Sequence, residues 1–252
     1  MNRFFVRKEN ILEDEKKLFI NNRDDIKHIS KVLRLNKGDI LEICNGEKRE
    51  YLAEIREINK DEIECKILNS MVSKSEPEIS ITLFQSIPKG SKMELIIQKC
   101  VEIGVKDIIP VISKRCVAKI KDVKSEDKKL ERWNKISLEA AKQSKRGIIP
   151  KVGRVIKYSD IEKIASNYDL IIIPYELENS VGIKKVLKKS GKFKNIAVII
   201  GSEGGFEEEE ILEAVNWGAK PVTLGPRILR TETAGLVALS VILYELGDLG
   251  GN

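Results

Sequence analysis

Apolar and polar residues follow two different rhythms along this chain, and the change of rhythm divides it. Short runs at 4–6, 39–43, 51–58 and 62–68 alternate apolar with polar positions, as where Ala53 and Ile55 flank Glu54 and precede Arg56. A period of two sends one set of side chains into a core and the other into water, so these runs predict strands of a small antiparallel barrel. Among them, 23–35 carries Ile26, Ile29, Val32 and Leu33 at helical spacing, with Asn36-Lys37-Gly38-Asp39 as its exit and turn. The stretch 70–77, rich in Ser, Lys and Glu and closed by Pro77, breaks the pattern and reads as a linker.

From Ile79 onward strands and helices take turns. Strands are predicted at 79–84, 107–112, 170–174, 196–200 and 221–224, and helices at 92–103, 125–145, 207–217 and 231–246. The runs Leu170-Ile171-Ile172-Ile173 and Ile196-Ala197-Val198-Ile199-Ile200 have no polar face. Strands of that kind are covered on both sides, which predicts a mainly parallel sheet in an α/β domain. The chain therefore reads as two domains, 1–72 and 77–252, with no internal repeat.

Composition changes this picture little. In 252 residues, 45 Lys and Arg face 39 Asp and Glu, a net charge of +6 that tolerates a polyanionic partner without requiring one. Cys44, Cys65, Cys100 and Cys116 are scattered, with no C-x-x-C and only His28 to assist, so neither a metal site nor a disulfide framework is signalled and reduced thiols are expected. No apolar run approaches membrane-spanning length, and a cytoplasmic protein is expected. His28, with no carboxylate or second histidine beside it, reads as a structural residue.

Two turns carry the chemistry. Ile200-Gly201-Ser202-Glu203-Gly204-Gly205-Phe206 follows a buried strand and leads into the acidic helix start Glu207 to Glu210. Glycines there let backbone amides approach a ligand beyond the carboxyl end of a strand. Neither G-x-G-x-x-G nor G-x-x-x-x-G-K-[ST] is present, which argues against a dinucleotide fold or a P-loop. The second turn, Gly225-Pro226-Arg227-Ile228-Leu229-Arg230-Thr231-Glu232-Thr233-Ala234-Gly235, opens a long apolar helix that Thr231 is placed to cap. Arg230 beside an apolar strap suits an anion, or else a salt bridge to Glu203 or Glu232.

These two motifs resemble those of the SPOUT class of S-adenosylmethionine-dependent methyltransferases. More narrowly, they are similar to the ribosomal RNA small subunit methyltransferase E family, which methylates N3 of a uridine in 16S ribosomal RNA. His28, Val32-Leu33-Arg34, Gly38-Asp39, Lys92-Met93-Glu94, Lys99, Glu102, Gly104-Val105, Arg132-Trp133, Glu139-Ala140-Ala141, Gln143-Ser144 and Arg146 extend the resemblance over the whole chain. Ser202 departs from it, standing where the family usually has proline, and Cys116 stands where serine is common.

The resemblance implies an N-terminal PUA-like β-barrel that binds RNA and a C-terminal domain with a deep trefoil knot. It also implies a homodimer whose sites are completed at the subunit interface, for which the apolar segment 234–246 is a seam or else an ordinary core helix. S-adenosylmethionine is then expected against Pro174, Tyr175, Ile200, Gly201, Glu203, Gly204, Leu224, Gly225, Ile228, Leu229, Arg230 and Ala234. Catalytic roles fall to Arg230, Glu203 and Glu232, as a cation for the imide anion or phosphate and as bases or organisers of Arg230. RNA contacts are expected from Arg3, Arg7, Lys31, Arg34, Lys89, Arg115, Lys142 and Arg146. A non-catalytic ribosome-assembly factor of the same fold, or a ribose 2′-O-methyltransferase of the same class, remains an open alternative.

Overall fold

A computed structural model describes residues 3–117, 122–189 and 193–250. The chain separates into two units, 1–76 with 141–149, and 77–140 with 150–252. Residues 141–149, read from sequence as part of the second domain, thus pack within the first.

The first unit is built from β1 (Arg3–Phe5), β2 (Ile11–Leu12), β3 (Lys17–Ile20), α1 (Arg23–Lys27), β4 (Ile40–Cys44), β5 (Arg49–Ile58) and β6 (Ile63–Val72). Its sheet runs β1-β4-β5-β6-β3-β2. It is mixed where an antiparallel barrel was expected, because the excursion through β2, β3 and α1 returns β4 parallel to β1. Alternation works as read: Tyr51, Ala53 and Ile55 turn inward to meet Leu18, Ile20, Leu41, Ile43 and Ile63. Strands β2 and β3 are too short to stand out in the sequence.

Asn22 caps α1, its Oδ1 accepting from the amides of Asp24 and Asp25 at 2.9 and 3.1 Å. The helix then widens into a π turn over His28–Val32, closed by the Leu33 amide on the His28 carbonyl at 2.8 Å. One extra residue per turn rotates the expected apolar stripe, so Ile26 and Ile29 stay buried while Val32 swings out to 67% exposure. His28 is exposed and lies edge-on to the Phe4 ring.

The expected linker is structured. β6 continues through Val72, Ser73 is buried, and Glu76 accepts from the Arg146 guanidinium at 2.7 Å and from the Gly147 and Ile148 amides at 2.7 and 3.1 Å.

The second unit contains β7 (Ser80–Ser86), α2 (Lys92–Ile103), β8 (Asp107–Ile112), α3 (Val123–Gln143), β9 (Lys151–Val152), β10 (Ile156–Lys157), β11 (Leu170–Pro174), α4 (Ile183–Lys189), β12 (Asn195–Ile200), α5 (Glu208–Asn216), β13 (Lys220–Val222) and α6 (Thr231–Glu245). A 3-10 segment, Tyr158–Asn167, precedes β11. The sheet runs β10-β8-β7-β12-β11-β13, every pair parallel, with β9 also on β8. The two all-apolar runs are β11 and β12, both interior strands of the sheet. Helix α6 presents Gly235, Ala238, Leu239, Ile242 and Leu243 to the interior, with Gly235 close to Leu83 and Ile200. After the edge strand β13 the chain thus doubles back beneath the middle of the sheet.

Candidate functional site

Three connections leave the carboxyl ends of β11, β12 and β13 and enclose one cavity of about 610 Å³. All twelve residues expected at the cofactor line it: Pro174, Tyr175, Ile200, Gly201, Glu203, Gly204, Leu224, Gly225, Ile228, Leu229, Arg230 and Ala234. Its volume lies within the range of small-ligand sites, and its walls mix aliphatic side chains with open backbone.

The turn after β12 is shaped by glycine where the backbone demands it. Gly205 has φ of +67°, a left-handed conformation, and its amide donates to the Ser202 carbonyl at 3.0 Å. A Cβ on Gly201 would lie 3.1 Å from the Phe206 ring and 3.2 Å from the Gly205 backbone. Ser202 holds the turn by another route than a proline would: its hydroxyl donates to the Arg115 carbonyl at 3.1 Å. Arg115 closes the clasp, donating to the Gly204 carbonyl at 2.9 Å and through Nε and Nη2 to the Glu207 carboxylate, both at 2.9 Å.

The two motifs are stapled to each other. The Thr231 hydroxyl donates to the Gly201 carbonyl at 2.5 Å and accepts from Gln85 Nε2 at 3.0 Å. Thr231 was expected as the cap of α6, but the cap position is Arg230 and Thr231 is the first helical residue. Its hydroxyl serves the tertiary contact instead. Gln85, fully buried near the end of β7, was not singled out in the sequence.

Lys92 is a second residue that the roles drawn from the resemblance left out. Its ammonium lies 3.0 Å from Glu203 and 3.3 Å from Glu232, and it lines the cavity. It opens α2, where a cation opposes the helix dipole, and that misplacement was its sequence signal. The Glu203 hydrogen bond in particular raises the Lys92 pKa and keeps the ammonium charged. For Glu203, burial acts to raise the pKa, but the backbone amides of Glu203 and Lys89 and the Lys92 ammonium outweigh it and hold the carboxyl below its usual range.

Arg230 is 82% exposed, with Nη1 4.0 Å from Glu232 and no ion pair to Glu203 among the described residues. A carboxylate held low makes Glu203 a weak base, so the geometry favours it as an organiser of Lys92 rather than of Arg230.

The cations expected on RNA divide. Arg3 is 6% exposed, pairing with Glu50 at 2.9 Å and donating to the Lys145 and Arg146 carbonyls. Arg146 is 3% exposed on Glu76, and Lys142 pairs with Asp25 at 2.9 Å. All three have partners within the first unit, and a cation already paired and largely withdrawn from water neutralises a phosphate only by abandoning its partner, which weighs against them as RNA contacts. Arg115 is committed to its clasp. Arg7, Lys31, Arg34 and Lys89 are exposed.

Comparison with known proteins agrees with the pocket. Residues 75–243 match the RNA methyltransferase domain family, and residues 20–68 match the RNA methyltransferase PUA domain. Ribosomal RNA small subunit methyltransferase E of Bacillus subtilis is 33% identical over 100% of both chains. The chain belongs to this methyltransferase family. The Mesomycoplasma hyopneumoniae member is 36% identical over 97% of this chain and 100% of its own. The solved structure of the Neisseria gonorrhoeae member, bound to S-adenosylmethionine, superposes with a TM-score of 0.86 at 31% identity, covering 99% of this chain and 100% of that one. The fold is accordingly the SPOUT α/β domain preceded by a PUA-like domain, and the family's cofactor is S-adenosylmethionine.

Among the described residues no helix is long and apolar enough to cross a membrane, and no cluster of His, Cys, Asp and Glu could hold a metal ion.

Proposed function

We propose that this chain methylates N3 of a uridine in small-subunit (16S) ribosomal RNA. The reading rests on one observation: the glycine turns after β12 and β13 converge, through Thr231, on a single cavity with backbone, aliphatic and charged walls. S-adenosylmethionine bound there supplies an electrophilic methyl group on a sulfonium. Ile200, Leu224 and Leu229 would give its apolar part a bed, and the turn from Gly201 to Gly205 would offer backbone groups to its polar part.

Uridine N3 carries a proton at neutral pH, and that proton must leave before the nitrogen can attack. Arg230, exposed at the cavity mouth, holds the resulting imide anion and so lowers the cost of losing the proton to water. Glu203 and Glu232 organise the cations around it. Arg7, Lys31, Arg34 and Lys89 take RNA phosphates, with the first unit as the RNA-binding domain. The path from β13 back beneath β12 forms the trefoil knot, and two copies assemble as a homodimer in the cytoplasm.

The test is methyl incorporation from S-adenosylmethionine into undermethylated small subunits, followed by nucleoside mass spectrometry. N3-methyluridine is expected. A methyl on ribose, or RNA binding without product, overturns the assignment.

A further inference from the structure

Four charges alternate in a row beside the cavity, Glu203, Lys92, Glu232 and Arg230, at successive separations of 3.0, 3.3 and 4.0 Å; all but Glu232 line it. Their exposure rises steeply at one end, since Glu232 is 16% exposed and Arg230 82%. Glu232 Oε2 is shielded from solvent and makes no hydrogen bond among the described residues, so the nearby ammonium is its main compensation.

We propose that Lys92 is a positioning residue that keeps Arg230 free for the RNA, by occupying the carboxylate that would otherwise capture the guanidinium. The proposal deepens the reading above and rests on Arg230 meeting the substrate.

The physical argument is one of competition. A carboxylate this far out of water draws whatever cation can reach it, because leaving it unpaired costs more than moving a flexible side chain. Among the described residues, two cations lie within 4.0 Å of it. Lys92 is anchored on the first turn of α2 and is held from its other side by Glu203, so its ammonium is fixed between the two carboxylates. Arg230 lies two residues before Glu232 and needs only a rotamer change to close its 4.0 Å gap into a forked pair. While Lys92 is present, Glu232 is neutralised from below and the guanidinium stays in solvent. Without it, Arg230 folds onto Glu232 and its charge is spent inside the protein. Glu203 does not compete for Arg230, because it also accepts from the Lys89 amide at 3.1 Å and keeps partners if Lys92 is lost. A lysine that opposes its own helix dipole is explained by this task, since helix stability alone would disfavour it.

The experiment compares Lys92→Met, Lys92→Arg, Glu232→Gln, the double variant Lys92→Met/Glu232→Gln, and Arg230→Gln. It measures kcat and KM for methylation of undermethylated small subunits, S-adenosylmethionine affinity by calorimetry, and thermal melting to verify folding. Arg230→Gln is expected to cost about 10²- to 10³-fold in kcat, as for other lost transition-state charge contacts. Lys92→Met is expected to lower kcat/KM for RNA on the order of tenfold, more than it lowers cofactor affinity, with Lys92→Arg close to the parent. Removing the competing carboxylate should return the double variant to the level of Glu232→Gln alone. A double variant as impaired as Lys92→Met, while Glu232→Gln is active, overturns the proposal and leaves the role of Arg230 intact. An Arg230→Gln protein with undiminished kcat overturns the reading on which the proposal rests, whatever the Lys92 variants do.

Discussion

Single residues show why chemistry in this protein depends on burial. Cys44, Cys65 and Cys100 are buried free thiols, and burial raises the pKa of each, that of Cys65 to about 12. Such thiols stay protonated and inert. A thiol reagent at pH 8 should therefore modify at most the partly exposed Cys116 in the native protein, and all four cysteines in denaturant. Gly205 offers a second test. Alanine there must adopt φ near +67°, which costs about 1–2 kcal/mol for a residue with a Cβ. Its Cβ would also meet the Glu176 carboxylate at 2.7 Å, though that side chain can move aside. Gly205→Ala should lower the melting temperature modestly and weaken S-adenosylmethionine binding more, because the strain falls on the turn that shapes the pocket. Sequence made these glycines visible; the clasp that Arg115 and Ser202 form around them joins residues far apart in the chain and had no local signal.

At the scale of elements, the period-two and all-apolar runs located most strands, and α2, β8 and β11 occur where their spacing predicts. Errors arose where a neighbour overrode the local pattern. The π turn after α1 exposes Val32, and the segment 70–77, polar enough to read as a linker, is ordered by Arg146 on Glu76. Both side chains of that pair are 3% exposed, so Arg146→Met strands a buried carboxylate and should destabilise the first unit by about 3–5 kcal/mol in denaturant titration. The same unit should be sensitive to alkali. Desolvation, then the Glu13 hydrogen bond, raises Tyr51 to about 12, and burial raises Cys65 to about 12. Groups with raised folded pKa values contribute stability that is complete below their unfolded values of 9.0 and 10.0 and fades as pH climbs toward 12. Unfolding free energy should fall across that window and hold steady through neutral pH.

For the whole molecule, methylation rate is expected to rise with pH on the alkaline side of neutrality, as deprotonated uridine becomes available, without an acidic limb from Glu203. A bell whose acid side titrates like an ordinary carboxylate would assign a base after all. Ile228 lines the cavity and is 88% exposed, and Leu177, on the connection after β11, is 69% exposed; both are candidate contacts of the proposed homodimer. Leu177→Asp with Ile228→Asp should convert a dimer to a monomer in light scattering and reduce turnover. The sequence by itself determined the parallel α/β domain, the strand-rich domain before it, and the two glycine turns with Arg230 in the second. Strand periodicity and a glycine's backbone freedom are local properties, carried by a few consecutive residues. The tertiary structure alone decided that Arg3, Lys142 and Arg146 pair with carboxylates, that Thr231 and Gln85 tie one turn to the other, and that Lys92 stands between two carboxylates. Those are facts about distance and burial, and residues a hundred positions apart acquire them only when the chain has folded.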